Sequence, residues 1–145
     1  MQLLYGHDSA ITRWAAQRID GLSMPTHVVG LIDGDGVLRG CFLLNEITRN
    51  TAEFIILCQG RLGVEVVRPI FRYAFHHYGR LQATVQRSNA VCRKQTPRWG
   101  FKYDGTAHDF FAPGEDAIRF VMRRDDCKWI KPHGHVLQAE SARAA

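Results

Sequence analysis

The sequence has 145 residues, of which 46% are hydrophobic and 23% charged, and its formal net charge is +5. This length predicts one domain with a sizeable core. No apolar run approaches the about 20 residues that cross a bilayer, and the first residues lack the basic and long apolar regions of a signal peptide. We therefore expect a soluble, cytoplasmic protein, whose positive charge favours an anionic partner such as a nucleotide cofactor, an acidic protein or a nucleic acid.

The N-terminal part predicts a strand followed by a helix. Residues 1–5 are a short, mostly apolar segment that is typical of an edge strand. The spacing of apolar residues then predicts a helix from Asp8 to Ile19, with Asp8 or Ser9 as its cap and Gly21 ending it.

Three strands are predicted next. The β-branched runs 26–32 and 37–47 flank Asp33–Gly36, whose Asp-Gly pairs predict a tight hairpin turn. A third strand follows at Thr51–Cys58. Its unbroken apolar run indicates a strand that is covered on both faces.

A loop at 59–63 leads into a long helix with a wide apolar stripe, which begins near Val64 and ends at Gly79. Pro69 falls inside this pattern and predicts a kink or a later start, because proline cannot donate the helical hydrogen bond. The stretch Arg80–Phe101 follows and predicts a strand, a short helix beginning at Asn89, and the start of another strand.

The chain then predicts a final hairpin and a tail. Residues 101–111 and 117–123 read as its two strands, and periodicity disappears from Asp125 onward. We expect a domain at 1–125 and a mobile tail at 126–145. The order β-α-β-β-β-α-β-α-β-β predicts an α/β domain of the α+β type, with a mixed, mostly antiparallel sheet flanked by helices.

Cysteines and histidines give no metal motif. The four cysteines are far apart and no pair has CxxC spacing: Cys41, Cys58, Cys92 and Cys127. We interpret them as reduced, mostly buried thiols. His76 and His77 point to different faces of the predicted helix, and His133 and His135 lie in the predicted tail, so we expect no metal site.

The stretch from Asn89 to Phe101 resembles the GCN5-related N-acetyltransferase (GNAT) family. Gly100 falls eleven residues after Asn89, Cys92 stands where the family has a small residue, and Arg98–Phe101 resembles the usual Lys-Leu-Gly-Phe. The ending Asp116–Trp129 is similar to the ends of ribosomal-protein acetyltransferases and of small phage-encoded members. The resemblance implies a GNAT-like fold and an enzyme that transfers acetyl from acetyl-CoA to an amine of a protein or small molecule.

The resemblance also implies where acetyl-CoA binds as a co-substrate. In the family a glycine-bearing loop before the long helix holds the pyrophosphate with backbone N–H groups, and an asparagine faces the pantetheine arm. The residues implied here are Ile55, Leu57, Gln59, Gly60, Arg61, Leu62, Gly63, Val64, Asn89 and Cys92. Asn89 is equally well explained as a plain helix cap, and Arg61 either pairs with phosphate or is solvated. We expect Arg68 to be solvated.

For catalysis the resemblance implies a carboxylate base on the strand before this loop. Glu53 matches that position, and Glu46 on the preceding strand is a second candidate. For each, the alternative is an ordinary exposed or edge-strand carboxylate. The family's tyrosine acid corresponds to Thr96, so the acid is either missing or supplied by water.

Departures at three positions leave a second function open. Gly60 replaces the usual Gln or Arg, Glu65 replaces a small residue, and Thr96 replaces the tyrosine. The alternative is a catalytically inactive GNAT-fold protein that binds a host partner or forms part of a phage virion, located in the host cytoplasm or the particle. A homodimer is open. We expect no membrane association, and no nucleic-acid binding because a basic stripe with interleaved aromatic residues is absent.

Overall fold

The computed structural model describes residues 1–130 and confirms the predicted order of elements. The strands are β1 (Gln2–Leu4), β2 (His27–Ile32), β3 (Leu38–Glu46), β4 (Thr51–Cys58), β5 (Arg80–Gln86), β6 (Lys102–Ala112) and β7 (Glu115–Arg123). The helices are α1 (Asp8–Ala16), α2 (Val64–His77) and α3 (Ala90–Arg98), and a 3-10 turn follows at Arg124–Asp126. They form a seven-stranded sheet in the order β1-β2-β3-β4-β5-β7-β6. Every neighbouring pair is antiparallel except β4 and β5, so the predicted mixed, mostly antiparallel sheet is confirmed.

The sheet carries a core on each face. The larger core lies under α2, whose apolar stripe predicted it, and contains the ring stack of Phe54 and Phe71 at 5.3 Å between centroids. The smaller core lies under α1 and is built from Ile11, Ala15 and their partners on β2 and β3. Because both faces of β4 are covered, its unbroken apolar run is explained.

The predicted hairpin turn at Asp33–Gly36 is present. The Asp33 side chain accepts hydrogen bonds from the backbone N–H groups of Asp35 and Val37, at 2.9 and 3.0 Å. Gly36 has a φ of 78°, a conformation that glycine adopts at no steric cost. The aspartate and the glycine therefore have separate roles in the turn.

The helices differ from the predictions at their ends. α1 ends at Ala16 instead of Ile19, because the N–H groups of Arg18 and Ile19 both donate to the carbonyl of Ala15 in a tighter turn. Its N-cap is His7, which makes no side-chain cap bond. α2 begins at Val64 and contains Pro69, so the later start is wrong. Burial of the α2 stripe offsets the missing proline donor.

The packed chain extends beyond the predicted domain end at 125. Cys127 is fully buried, and Trp129 and Ile130 pack against the core under α2. The predicted start of a mobile tail at 126 is therefore too early. Burial of aromatic and apolar side chains holds this segment in place, although its sequence shows no hydrophobic periodicity. The rest of the predicted tail, including His133 and His135, lies outside the described residues.

The four cysteines are free, as predicted. Cys41 and Cys127 are buried, Cys58 is half-buried, and Cys92 is exposed on α3, so burial is less general than predicted. Burial raises the pKa of the Cys41 thiol to about 11. Within residues 1–130 no three His, Cys, Asp or Glu side chains are grouped to hold a metal ion. None of the described helices is long and apolar enough to cross a membrane.

Candidate functional site

The parallel pair β4–β5 forms a fork in the sheet. The two strands pair only at Thr51↔Arg80, Ala52↔Leu81 and Glu53↔Gln82. Beyond Glu53 they separate, and a cleft of about 600 Å³ opens beside the end of β4. The cleft is lined by Ile56, Leu57, Cys58, Gly60, Arg61, Leu62, Val67, Gln95, Arg98, Trp99 and Trp129.

The lining combines an apolar wall with exposed positive charge. Ile56, Leu62 and Val67 supply aliphatic surface from β4, the loop and α2. Arg61 lies on the loop and Arg98 on α3, and both side chains are exposed. Such a lining suits a ligand with an extended, weakly polar arm and an anionic group, because guanidinium groups pair well with phosphate.

The N-terminus of α2 faces the loop side of this cleft. Gly63 is the N-cap, and no side chain caps the helix. The N–H groups of Val66 and Val67 donate to the Gly63 carbonyl, so those of Val64 and Glu65 are the ones available to an anion. The Glu65 carboxylate folds back against Gly63, where a Cβ would collide with it. A negative charge of the chain itself therefore lies beside these N–H groups.

Hydrogen bonds within α3 and at its N-cap explain Asn89 and Thr96 as local structure. The Asn89 Oδ1 accepts from the backbone N–H of Cys92 at 3.1 Å, which is a helix N-cap. The Thr96 hydroxyl donates to the carbonyl of Cys92 at 2.7 Å. The threonine proton is therefore engaged within the helix.

Glu53 lies at the point where the fork opens, on the sheet face opposite α2. Its Oε2 accepts from the Thr84 backbone N–H at 2.7 Å, and its Oε1 accepts from the Thr84 hydroxyl at 2.8 Å and from the Gln82 amide at 3.3 Å. Burial raises the pKa of Glu53 above its ordinary value, while these donors and the positive charge of Arg119 oppose the rise. The carboxylate is thus held in a fixed orientation with a reduced preference for the charged form.

The predicted cofactor residues divide into three groups. Leu57, Gly60, Arg61 and Leu62 line the cleft, and their role in binding a cofactor stays a prediction. Gln59, Gly63 and Val64 adjoin it in the same loop and the first turn of α2, but do not line it. Ile55 packs into the core under α1, and Asn89 and Cys92 lie exposed at the start of α3.

Glu46 lies across from Ala52 at the base of the fork, but its side chain is on the α2 face of the sheet, opposite to that of Glu53. Its Oε1 accepts from the Tyr78 hydroxyl at 2.9 Å, beside the C-terminal end of α2. Burial, followed by this carboxylate, raises the pKa of Tyr78 to about 12. The structure therefore does not bring the two candidate carboxylates together.

Several lining residues were missed by the sequence reasoning. Gln95, Arg98 and Trp99 recur at the i, i+3, i+4 spacing of one helix face, which could have placed them together. No such spacing marks Trp129, because the sequence around it shows no hydrophobic periodicity. Arg68, which we expected to be solvated, is half-buried and its Nε donates to the Trp129 carbonyl at 3.0 Å.

Comparisons with known proteins identify the fold. The sequence matches no protein-family model and no curated protein. A chimera of spermidine N-acetyltransferase SpeG from Vibrio cholerae and hSSAT has 17% identity and a TM-score of 0.69, covering 86% of this chain and 97% of that chain.

Two further structures agree. Mutant forms of the spermidine/spermine N-acetyltransferase SpeG from Vibrio cholerae have 20% identity and a TM-score of 0.60, covering 68% of this chain and 67% of that chain. A GNAT-family acetyltransferase from Bacillus anthracis has 15% identity and a TM-score of 0.58, covering 68% of this chain and 66% of that chain. The last two alignments span about two thirds of the known proteins. Likeness at these identities establishes the fold, and this chain has the fold of the GNAT acetyltransferases.

Proposed function

We propose that this protein is an N-acetyltransferase that transfers acetyl from acetyl-CoA to an amine on a protein or small molecule. The observation that carries the proposal is the fork between β4 and β5. A cleft with aliphatic walls and two arginines opens on it beside α2 and α3, and Glu53 stands at its base on the opposite face of the sheet. Acetyl-CoA in the cleft and the acceptor amine on the Glu53 face would then meet through the gap between β4 and β5.

The cleft residues fit the co-substrate. Ile56, Leu62 and Val67 suit the pantetheine arm, while Arg61, Arg98 and the N–H groups at the start of α2 suit its phosphates. Glu65 opposes this last contact, because its carboxylate lies beside the same N–H groups. Binding therefore requires the Glu65 side chain to turn away, which its exposed position allows.

The proposed reaction is a direct displacement. The neutral amine attacks the thioester carbonyl carbon, the C–N bond forms and the C–S bond breaks. Glu53, through a water, takes the proton that the amine loses, and water protonates the departing thiolate. Thr96 has no part in this, since its hydroxyl is bonded to Cys92.

The proposed acceptor is a primary amine, and the proposed assembly is a homo-oligomer. Two of the neighbours are described as spermidine N-acetyltransferases, so spermidine belongs in the acceptor panel together with peptides bearing a free amine. One relative is described as dodecameric, and we propose a homo-oligomer as the state to test. The proposed domain comprises residues 1–125 together with the packed segment 126–130, and a cytoplasmic location stays a prediction.

Calorimetry and thermal shift with acetyl-CoA test the proposal. A ligand at a hundred times its Kd adds about 2.7 kcal/mol to the free energy of unfolding, which a melting curve resolves. The panel is then assayed for acetyl-CoA-dependent release of CoA. Absence of any thermal shift at millimolar acetyl-CoA would overturn the acetyltransferase assignment.

A second function is favoured by one specific observation. The Glu65 carboxylate lies against the anion-binding end of α2, and such a charge disfavours phosphate. An inactive GNAT-fold protein that binds a host partner, or that belongs to a phage particle, would show no thermal shift with acetyl-CoA. It would instead copurify with that partner or particle.

A further inference from the structure

The segment after β7 crosses the groove between α2 and α3. The Arg124 guanidinium donates to the carbonyls of Phe75 and Tyr78 at the end of α2, which fixes where the segment begins. Cys127 is then fully buried. Two residues later the chain reaches Trp129, beside the middle of α2.

Trp129 is bonded to both helices. Its carbonyl accepts from the Nε of Arg68 on α2 at 3.0 Å, and its indole N–H donates to the carbonyl of Trp99 at 2.7 Å. The neighbouring Lys128 ammonium donates to the carbonyl of Arg98 at 2.9 Å. The indole also stacks parallel to the Phe71 ring of α2, at 6.5 Å between centroids and 6° between planes.

These bonds matter because α3 has little packing of its own. None of its nine residues is buried, so apolar burial does not fix the helix against the sheet. The carbonyls of Arg98 and Trp99 belong to the last turn and its cap, where helical partners run out. The side chains of Lys128 and Trp129 donate hydrogen bonds to these two carbonyls. The same turn places Arg98 and Trp99 in the lining of the cleft.

We propose that the segment Arg124–Ile130 is a wall of the acetyl-CoA cleft, and that Trp129 is a positioning residue that holds the end of α3 opposite α2. The identity of the ligand rests on the proposed function; the connection between α2 and α3 does not. Loss of the indole would let the end of α3 move, and the ligand would then meet a wider, less ordered cleft.

The test uses CoA as the probe and the full chain. Trp129→Ala should weaken CoA binding by about tenfold in calorimetry, since buried aromatic anchors commonly contribute that much. Trp129→Phe keeps the ring against Phe71 but loses the donor to Trp99, so its loss should be smaller. If the chain is active, KM for acetyl-CoA should rise with little change in kcat. Trp14→Phe is the matched control, because Trp14 packs in the core under α1.

Fluorescence gives a second readout. The chain has three tryptophans, and two of them line the cleft. CoA should change the emission of the wild type and of Trp14→Phe by the same amount, and should change that of Trp129→Phe less. Equal CoA affinity of folded Trp129→Ala and wild type would overturn the proposed wall.

The connection between α2 and α3 can be tested even if the proposed function is wrong. If the wild type does not bind CoA, hydrogen exchange still tests the connection: the α3 amides should exchange faster in Trp129→Ala than in the wild type. Unchanged exchange would contradict the positioning role. Should Trp129→Ala fail to fold, Arg68→Gln removes one of the bonds without opening a void and should give the same acceleration in weaker form.

Discussion

The two faces of the fork differ in what holds them. On the α2 face the cleft is walled by aliphatic and aromatic side chains, with Phe71 beneath Trp99 and Trp129. On the opposite face Glu53 is fixed by a hydrogen-bond set from Thr84 and Gln82. Packing forms most of the cleft wall on one face, where hydrogen bonds from Lys128 and Trp129 hold the end of α3, whereas directed polar bonds fix Glu53 on the other.

The contrast indicates that the α2 face would bind the carrier and that the opposite face would transfer the proton. An extended carrier gains affinity from apolar area and needs few directed contacts, whereas proton transfer needs a group in one orientation. Changes on the α2 face should therefore alter stability and carrier affinity, and changes at Glu53 should alter turnover. Variants of Phe71, Glu53 and Glu65 test that separation.

Phe71→Ala should have the largest effect, because it empties the centre of the α2 face. Phe71 is fully buried and contacts the rings of Phe54, Phe101 and Trp129. The free energy of unfolding should fall by about 3–5 kcal/mol, as measured by urea denaturation. Phe110→Ala is the matched control, since Phe110 is 59% exposed and its loss should change stability by less than about 0.5 kcal/mol. Equal effects of the two variants would contradict the assigned core.

Glu53→Gln should reduce turnover by about a hundredfold or more, while leaving CoA affinity unchanged. Steady-state kinetics and calorimetry measure the two separately. Glu46→Gln is its control, because Glu46 bonds Tyr78 on the other face of the sheet. Unchanged turnover in Glu53→Gln would remove Glu53 from the role of base.

The pH profile sharpens the same prediction. A base acts when deprotonated, so kcat/KM should fall as pH decreases through the pKa of Glu53. Burial raises that pKa above the ordinary glutamate value, so the acid limb should lie at higher pH than for an exposed glutamate. A profile with no acid limb above the ordinary value would argue against Glu53.

Glu65→Ala should tighten CoA binding about two- to fivefold, the equivalent of 0.3–1 kcal/mol for one charge at a helix N-terminus. The carboxylate no longer competes for the N–H groups beside Gly63. Calorimetry at low and high salt measures the gain, which should shrink with salt. Weaker binding of the variant would mean that Glu65 assists the ligand.

His77 should give the smallest effect, at the C-terminal end of α2. The His77 side chain is exposed, but partial desolvation of its ring, with the charges of His27 and His76, lowers its pKa in the folded state. The unfolded chain therefore binds more protons as pH falls below the ordinary histidine value, and the stability present above that value is progressively lost. Melting curves between about pH 8 and pH 5.5 should show less decline for His77→Gln than for the wild type, whereas parallel declines would contradict the shift.

The sequence predicts those elements of the fold that a short local pattern specifies. The Asp-Gly turn at Asp33–Gly36, the apolar stripe of α2 and the cap at Asn89 each specify their own element, and the structure has all three. Periodicity needs only neighbours in sequence, so these elements could be predicted one at a time.

Of the residues that line the cleft, the sequence indicated only those at the end of β4 and in the loop before α2. Gly60, Arg61 and Leu62 are contiguous, whereas Arg98 and Trp129 reach the cleft through contacts between distant segments. Trp129 lies in a stretch with no period, and its burial depends on Phe71 and Arg68 from α2. Tertiary packing of this kind leaves no local pattern to read.

The short parallel pairing of β4 and β5 has a consequence for how the chain folds. β1–β4 are joined by neighbouring antiparallel pairings, and so are β5, β7 and β6, whereas only three residue pairs connect the two halves. The backbone carbonyl of Asn50 adds bonds from Gly79 and Arg80 at the base of this seam. Since parallel pairing must first close the α2 crossover, the two half-sheets should form early and the seam last. The proposed active site would then be assembled in the final step of folding.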